Sequence, residues 1–168
     1  CQQPGVERTT EVTSLAQLLK DNGYQTIHCG KAHFGAEGTP GADPIHMGFE
    51  VNIAGHSAGQ PGSYYGEENY GNLPGKKKKP AAVPGLEKYN GTDSLNALDK
   101  AQEKEKPFFL YMAHYAIHTP IQPDHRFYQK YLDKGLPPVE AAYATLIEGM
   151  DKSLGDIMRY LDDKQLAD

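Results

Sequence analysis

Two short segments of the sequence carry side chains that could act on an anion. Lys31 and His33 lie in Gly30-Lys-Ala-His-Phe-Gly35, and His118 lies in His-Thr-Pro120. In an extended segment, residues two apart project to the same side, so Lys31 and His33 would share one face. A charged lysine cannot ligate a metal, but it neutralises an oxygen of a sulfate or phosphate group. A histidine beside such an anion tends to be protonated and can donate to a leaving oxygen. This combination favours a site for a tetrahedral oxyanion.

A metal site at His114 and His118 is the alternative for the second segment. Histidines at positions i and i+4 of a helix can bind zinc. Pro120 opposes a helix here, and at the end of a strand the same spacing does not ensure a common face. The sequence therefore predicts no metal ligands, and His114 is either a core residue or part of the anion site. We name His114, His56 and Ser57 as candidate substrate-binding residues, with an ordinary loop position as the alternative for His56.

Two predicted strands deliver these side chains. Residues 108–113 form an apolar, aromatic-rich run that predicts an interior strand of a parallel sheet, buried on both faces. Residues 24–29 are rich in strand formers and lead directly into the Lys31 segment. In open α/β sheets ligands bind at the carboxyl ends of strands, which is where Lys31, His33 and His114 stand.

A helix is predicted before each strand. Ser14 is a candidate N-cap that forms a capping box with Gln17, and Gly23 is placed to end the helix, whose apolar face contains leucines 15, 18 and 19. A second helix begins at Thr92 or Asp93. Two helix–strand units of this kind predict adjacent parallel strands and an α/β fold, with a mostly parallel sheet flanked by helices. A short helix over 122–132 and a long amphipathic helix over 139–162 follow.

Composition excludes several classes of function. The chain has 168 residues, about one domain, and a net charge of −5. Without a basic stripe interleaved with aromatic residues, nucleic acid is not an expected partner. Without an apolar run of about 18 residues, a membrane span is not expected either. Cys1 and Cys29 form no disulfide framework and no zinc motif, and nothing in the sequence indicates an oligomeric state.

Residues 36–91 form a long segment rich in Gly, Pro and Tyr, with little periodicity. Such a long irregular connection is more often functional than idle, so we predict an insert that determines substrate specificity. Its tyrosines could bind a sugar or an aryl group, with loop packing as the alternative. The sequence starts at Cys1 and stops at Asp168 where a further strand would be expected, so we predict that 1–168 is an incomplete part of one catalytic domain.

These motifs resemble the sulfatase family of the alkaline-phosphatase superfamily. Residues 15–35, ending in Gly-Lys-Ala-His-Phe-Gly, are similar to the helix–strand unit that leads to Gly-Lys-Trp-His-Leu-Gly in sulfatases. Residues 107–120 resemble the second family motif, with the histidine before Thr-Pro, and Met47-Gly-Phe-Glu50 resembles the Gly-Phe-Asp element between the two. Residues 143–161 resemble the helix before a metal-binding strand of the family.

The resemblance implies roles for three residues. Lys31 and His33 would contact the sulfate and the region of a formylglycine nucleophile, and His118 would act on the ester oxygen as a ligand or leaving-group acid. The family's formylglycine motif and its calcium-binding Asp-Asp and Asp-Asn-Gly motifs have no counterpart here. Cys1 lacks the accompanying arginine and lies too close to Lys31 to be that nucleophile. We therefore expect no turnover from this chain alone.

The sequence thus predicts a segment of a sulfuric ester hydrolase that cleaves sulfate esters of small molecules or carbohydrates, with sulfated sugars among the candidates. The resemblance implies a secreted or periplasmic protein. Two alternatives remain. One is a phosphonate monoester hydrolase or phosphodiesterase of the same superfamily, and the other is a non-catalytic anion- or sugar-binding relative.

Overall fold

The computed structural model describes residues 12–61, 64, 92–103 and 105–167, without the side chains of 92–94. The chain forms two compact units. The first consists of residues 1–59 and 96–115, and the second of residues 60–95 and 116–168.

A parallel sheet with helices makes up the first unit. The elements are α1 (Leu15–Asp21), β1 (Gln25–Gly30), β2 (Val51–Ile53), α2 (Thr92–Gln102, which enters this unit at residue 96) and β3 (Phe108–Ala113), with short 3-10 helices at Pro40–Ala42 and Pro44–Met47. The strand order is β2-β1-β3, and β1 pairs in parallel with both neighbours. The predicted α/β fold with adjacent parallel strands is confirmed.

The positions of β1 and β3 in the sheet differ from the prediction. Among the described residues, β1 is the interior strand and all of its residues are buried, whereas β3 lies at an edge. The side chain of Tyr111 on β3 is 43% exposed. An apolar run shows that a segment forms a strand, but it does not reveal on how many sides that strand is paired. The prediction that β3 is interior is therefore wrong for the described sheet.

The first helix has the predicted cap but a different packing face. Ser14 Oγ accepts the backbone N–H of Gln17 at 3.0 Å, and Gly23 follows the helix with φ of 89°. The Gln17 side chain donates to Asp21 instead of completing a capping box. The one buried residue of α1 is Ala16 rather than a leucine, and the helix backbone at Gln17 lies directly against Gly48. A Cβ on Gly48 would stand 2.3 Å from Gln17 N. Leu15 and Leu18 are consequently exposed.

Strand β2 lies inside the segment that the sequence predicts to be irregular. A strand of three residues is too short to show alternation of polar and apolar side chains. The chain enters β2 from a left-handed Gly48, whose carbonyl accepts a hydrogen bond from Thr26 Oγ1 at 2.8 Å. Glu50 N–H donates to Thr26 O at 2.9 Å. These contacts attach the Met47–Glu50 motif to β1.

An aromatic cluster around His28 fills one face of the sheet. The His28 ring on β1 lies 5.6 Å from Phe34, 5.2 Å from Phe49 and 5.6 Å from Tyr111, centroid to centroid. His28 is completely buried and belongs to the core. On the same strand, Ile27 is also completely buried.

The second unit contains α3 (Tyr128–Asp133) and α4 (Pro138–Asp163), which pack together. The prediction of a helix from residue 122 is wrong, because 122–127 are not helical. Asp124 is buried there and accepts both Nε and Nη2 of Arg126, and its own N–H donates to Thr145 Oγ1 on α4 at 2.8 Å. A carboxylate that binds its neighbours' N–H groups favours a turn over a helix at this point.

Helix α4 has the predicted length, but its buried face contains only part of the apolar pattern along its sequence. Its buried residues are mostly small, namely Ala141, Ala142, Thr145, Leu146, Gly149, Ser153 and Ile157. Tyr143, Ile147 and Leu154, which the apolar pattern includes, are 40–44% exposed. No helix in the described part of the chain is both long and apolar enough to cross a membrane.

Candidate functional site

The carboxyl ends of β1 and β3 lie side by side. Gly30, the last residue of β1, pairs with Ala113, the last residue of β3. Lys31 N–H then donates to Ala113 O at 2.6 Å. Lys31 and His114, which directly follow these two strands, therefore leave the sheet at neighbouring positions of its carboxyl end. The predicted convergence of the two strand ends is confirmed at the level of the backbone.

His33 takes an unusual backbone conformation two residues beyond Lys31. Its φ is 58°, in the left-handed region that costs a non-glycine residue roughly 1–2 kcal/mol. Its N–H donates to His56 O at 3.0 Å. This hydrogen bond joins the segment after β1 to the segment after β2. The backbone at His33 is therefore fixed by a specific contact, which would counter the cost of its conformation.

His56 and Ser57 belong to the same unit as Lys31 and His33. His56 Nδ1 accepts the N–H of Ala58 at 2.9 Å, so the neutral imidazole carries its proton on Nε2. The ring stacks on Tyr115, with centroids 6.1 Å apart, and the Tyr115 hydroxyl donates to Ala54 O at 3.0 Å. Ser57 is buried. Because its ring is stacked and its tautomer is set, His56 is a structured residue rather than a loose loop histidine.

Burial lowers the pKa of both His28, on β1, and His114, which follows β3. Desolvation lowers the pKa of His114, and it lowers the pKa of His28 to about 4. In His28 the backbone of Lys31, the side chain of Asn52 and the charge of Asp43 oppose this shift. Neither ring nitrogen of His28 makes a hydrogen bond of normal geometry among the described residues, so burial dominates and the ring is neutral at pH 7. Neither His28 nor His114 therefore adds a positive charge here at neutral pH.

His118 belongs to the second unit and is exposed. Its Nδ1 lies 3.0 Å from Thr119 O, which is consistent with a proton on that nitrogen in the neutral ring. Its carbonyl accepts the hydroxyl of Tyr64 at 2.8 Å, and Tyr64 N–H donates to Gln122 Oε1 at 2.7 Å. Tyr64 is buried, and burial raises the pKa of its hydroxyl.

Tyr64 was predicted either to bind a sugar or to pack within the loop. Its buried ring and its hydrogen bond to His118 O support packing. The other tyrosines of the predicted insert, Tyr65, Tyr70 and Tyr89, lie outside the described residues. The predicted assignment of residues 36–91 to substrate specificity stays a prediction.

The described residues do not fit a calcium site or a formylglycine nucleophile. No group of three or more His, Cys, Asp or Glu side chains within 12–61, 64, 92–103 and 105–167 could hold a metal ion. Cys29 is 1% exposed inside β1, and Cys1 lies outside the described residues. What these residues offer is one lysine and several imidazoles at strand ends, which is chemistry for binding an oxyanion.

Known proteins resemble the chain over most of its length. A family model described as Sulfatase matches residues 2–168. The arylsulfatase of Klebsiella aerogenes is 32% identical over 123 residues, which cover 68% of this chain and 26% of the relative. A solved structure of Ps i-CgsB in complex with k-i-k-neocarrahexaose superposes with a TM-score of 0.77 at 24% identity, over 99% of this chain and 40% of that protein.

A second solved structure, the PsFucS1 sulfatase from Pseudoalteromonas sp., has a TM-score of 0.62 at 20% identity, over 98% of this chain and 38% of that protein. At these identities the two structures establish the fold. The chain spans about a quarter to two-fifths of the length of the proteins it resembles.

Proposed function

This chain belongs to the sulfatase family, and from that premise we propose that the natural protein that carries it hydrolyses sulfate esters. The observation that carries the proposal is the pairing of Gly30 with Ala113, which brings Lys31 and His114 to neighbouring positions at the carboxyl edge of the sheet. Ligands of open α/β folds bind at this edge. A lysine there suits a sulfate ester, whose non-bridging oxygens carry the negative charge.

Each candidate residue has a distinct part in this proposal. Lys31 neutralises a sulfate oxygen, and that stabilisation grows as negative charge redistributes in the transition state. His33 donates a hydrogen bond to a second oxygen. By the family resemblance, His118 would act on the ester oxygen as a sulfate ligand or as the leaving-group acid; in the second role it protonates the bridging oxygen while the bond from sulfur to that oxygen breaks, so that an alcohol leaves. Overall, the ester and water give the alcohol and hydrogen sulfate.

His114, His56 and Ser57 would contact the rest of the substrate. In its neutral tautomer His56 carries its proton on Nε2, which is a buried atom in this structure. The lowered pKa of His114 makes it a neutral partner, which suits hydroxyl groups better than a second charge. We include sulfated carbohydrates as the substrate class. The support is the similar structure that holds k-i-k-neocarrahexaose.

The described residues supply binding and a proton, but no attacking group. Turnover is therefore expected only from the natural full-length protein, and the 168-residue chain by itself should bind inorganic sulfate without hydrolysing esters. A formylglycine nucleophile and a calcium ion belong to the proposal through the family resemblance. A secreted or periplasmic location belongs to it too, and cell fractionation tests that part.

Initial rates on three aryl esters test the proposed function. The natural full-length protein is compared with Lys31→Ala and His118→Ala on an aryl sulfate, an aryl phosphate and an aryl phosphodiester. Lys20→Ala, which removes an exposed lysine from α1, is the matched control. We expect activity on the sulfate, and its loss in the two site variants only. Loss of one general acid should cost about 100- to 10,000-fold.

Two other outcomes would overturn the proposal. Activity confined to the phosphorus esters would assign the protein to the sister hydrolases. No activity on any aryl ester or on a panel of sulfated oligosaccharides, with sulfate still bound through Lys31, would indicate an anion-binding protein.

A further inference from the structure

A short segment after β2 contacts the histidine of the Lys31 segment. We call residues 54–59 the glycine loop, after Gly55 and Gly59. It begins at Ala54, which is left-handed with φ of 67°. Its His56 carbonyl accepts the N–H of His33 at 3.0 Å. One hydrogen bond thus fixes the backbone of His33, but it leaves the direction of the imidazole ring undetermined.

Gly59 lies against that ring. A Cβ built on Gly59 would be 2.7 Å from His33 Nδ1 and 2.8 Å from its Cε1. Non-bonded carbon atoms prefer separations of about 3.5–4.0 Å, so a methyl group and the ring cannot both occupy this space. The backbone of Gly59 tolerates other residues, because its φ is not in the left-handed region. What requires glycine at this position is the imidazole itself.

Gly55, the other glycine of this loop, also lies against a histidine ring, so the effects of adding a Cβ at the two positions can be compared. A Cβ on Gly55 would lie 2.7 Å from Nδ1 of the buried His28 and 2.5 Å from Asn52 Oδ1. The ring of His28 is enclosed by other side chains and cannot swing away. A substitution at Gly55 should therefore disturb the core, whereas one at Gly59 should chiefly rotate a side chain.

We propose that Gly59 is a positioning residue that sets the direction of the His33 ring toward the bound sulfate. The inference rests on the proposed function, since it assumes that His33 contacts the anion. The left-handed backbone sets the direction in which the His33 side chain leaves the chain, and the His56 carbonyl holds the His33 N–H. Gly59 lies against the Nδ1–Cε1 edge of the ring. Ring orientation matters because a displacement of about 1 Å can cost about 100-fold in rate.

A double-mutant cycle in the natural full-length protein tests this role. Gly59→Ala should lower kcat/KM for an aryl sulfate by about 10- to 100-fold. In a His33→Ala background the same substitution should have almost no effect, because the added methyl group no longer meets a ring. Gly155→Ala is the control, since a Cβ at that helical position meets nothing within 4 Å. Equal losses from Gly59→Ala in both backgrounds would overturn the proposal.

Two further measurements distinguish the role of Gly59 from a folding defect and from a failure of the proposed function. Gly59→Ala with His33→Ala should fold even if Gly59→Ala alone does not, and failure of both to fold would refute the role. If the wild-type protein hydrolyses no ester, the sulfatase proposal fails by itself. The contact is then tested by the ring chemical shifts of His33 and the affinity for inorganic sulfate. Gly59→Ala should change both, and no change in either would overturn the inference.

Discussion

Lowering the pH should destabilise the folded chain through His28. Burial lowers the pKa of this imidazole from 6.5 to about 4, so the folded state keeps it neutral under conditions in which the unfolded chain binds a proton. Above pH 6.5 neither state is protonated and His28 adds no pH dependence. As the pH falls from 6.5 toward 4, the unfolded state is increasingly favoured.

The expected loss in the free energy of unfolding depends on how far the pH falls below 6.5, within the interval between the unfolded and folded pKa values of His28. Each pH unit below the unfolded pKa is worth about 1.4 kcal/mol per proton. When the pH is lowered from 7.5 to 5.0, only the part below 6.5, about 1.5 pH units, affects His28. The free energy of unfolding should therefore fall by about 2 kcal/mol through His28 alone. His114, whose pKa is also lowered by burial, should add a loss of the same sign.

Urea unfolding followed by circular dichroism measures the effect. The free energy of unfolding is determined at pH 7.5, 6.5, 5.5 and 5.0 for wild type, for His28→Gln and for His46→Gln, which replaces an exposed histidine. The wild-type loss should exceed that of His28→Gln by about 2 kcal/mol, while His46→Gln should follow wild type. Identical slopes for wild type and His28→Gln, or a His28 midpoint near 6.5 in an NMR titration, would refute the reasoning.

Two further predictions concern contacts described above. Tyr64→Phe removes the hydroxyl that donates to His118 O. It should lower stability by about 1–2 kcal/mol and, under the proposed function, lower kcat for an aryl sulfate more than it raises KM; an unchanged kcat would show that the contact does not orient His118. Gly48→Ala places a methyl group on the backbone of α1 at φ of 92° and should cost about 2–4 kcal/mol in thermal or urea unfolding. Gly155→Ala, at an open helical position, should instead be neutral or stabilising by up to about 1 kcal/mol, and equal effects at the two glycines would contradict the close contact.

Local sequence predicted those features of the chain that depend on neighbouring residues. The cap at Ser14, the turn at Gly23 and the long helix beginning near residue 138 follow from side-chain chemistry within one or two turns, and the structure contains all three. The strand ends before Lys31 and His114 were predictable for the same reason, since composition and flanking residues mark where a strand stops. The identity of the candidate anion-binding side chains therefore came from sequence alone.

Tertiary structure decided which faces and strands meet, because pairing and packing depend on residues far apart in the chain. The exposed Leu15 and the buried small residues of α4 reverse an expectation from hydrophobicity, since close approach of backbones selects small side chains. The three residues of β2 form a strand only because β1 offers a free edge for pairing. The contact of Gly59 with His33 joins positions that no periodic pattern connects. Sequence thus supplied the chemical groups, and folding determined how they are held.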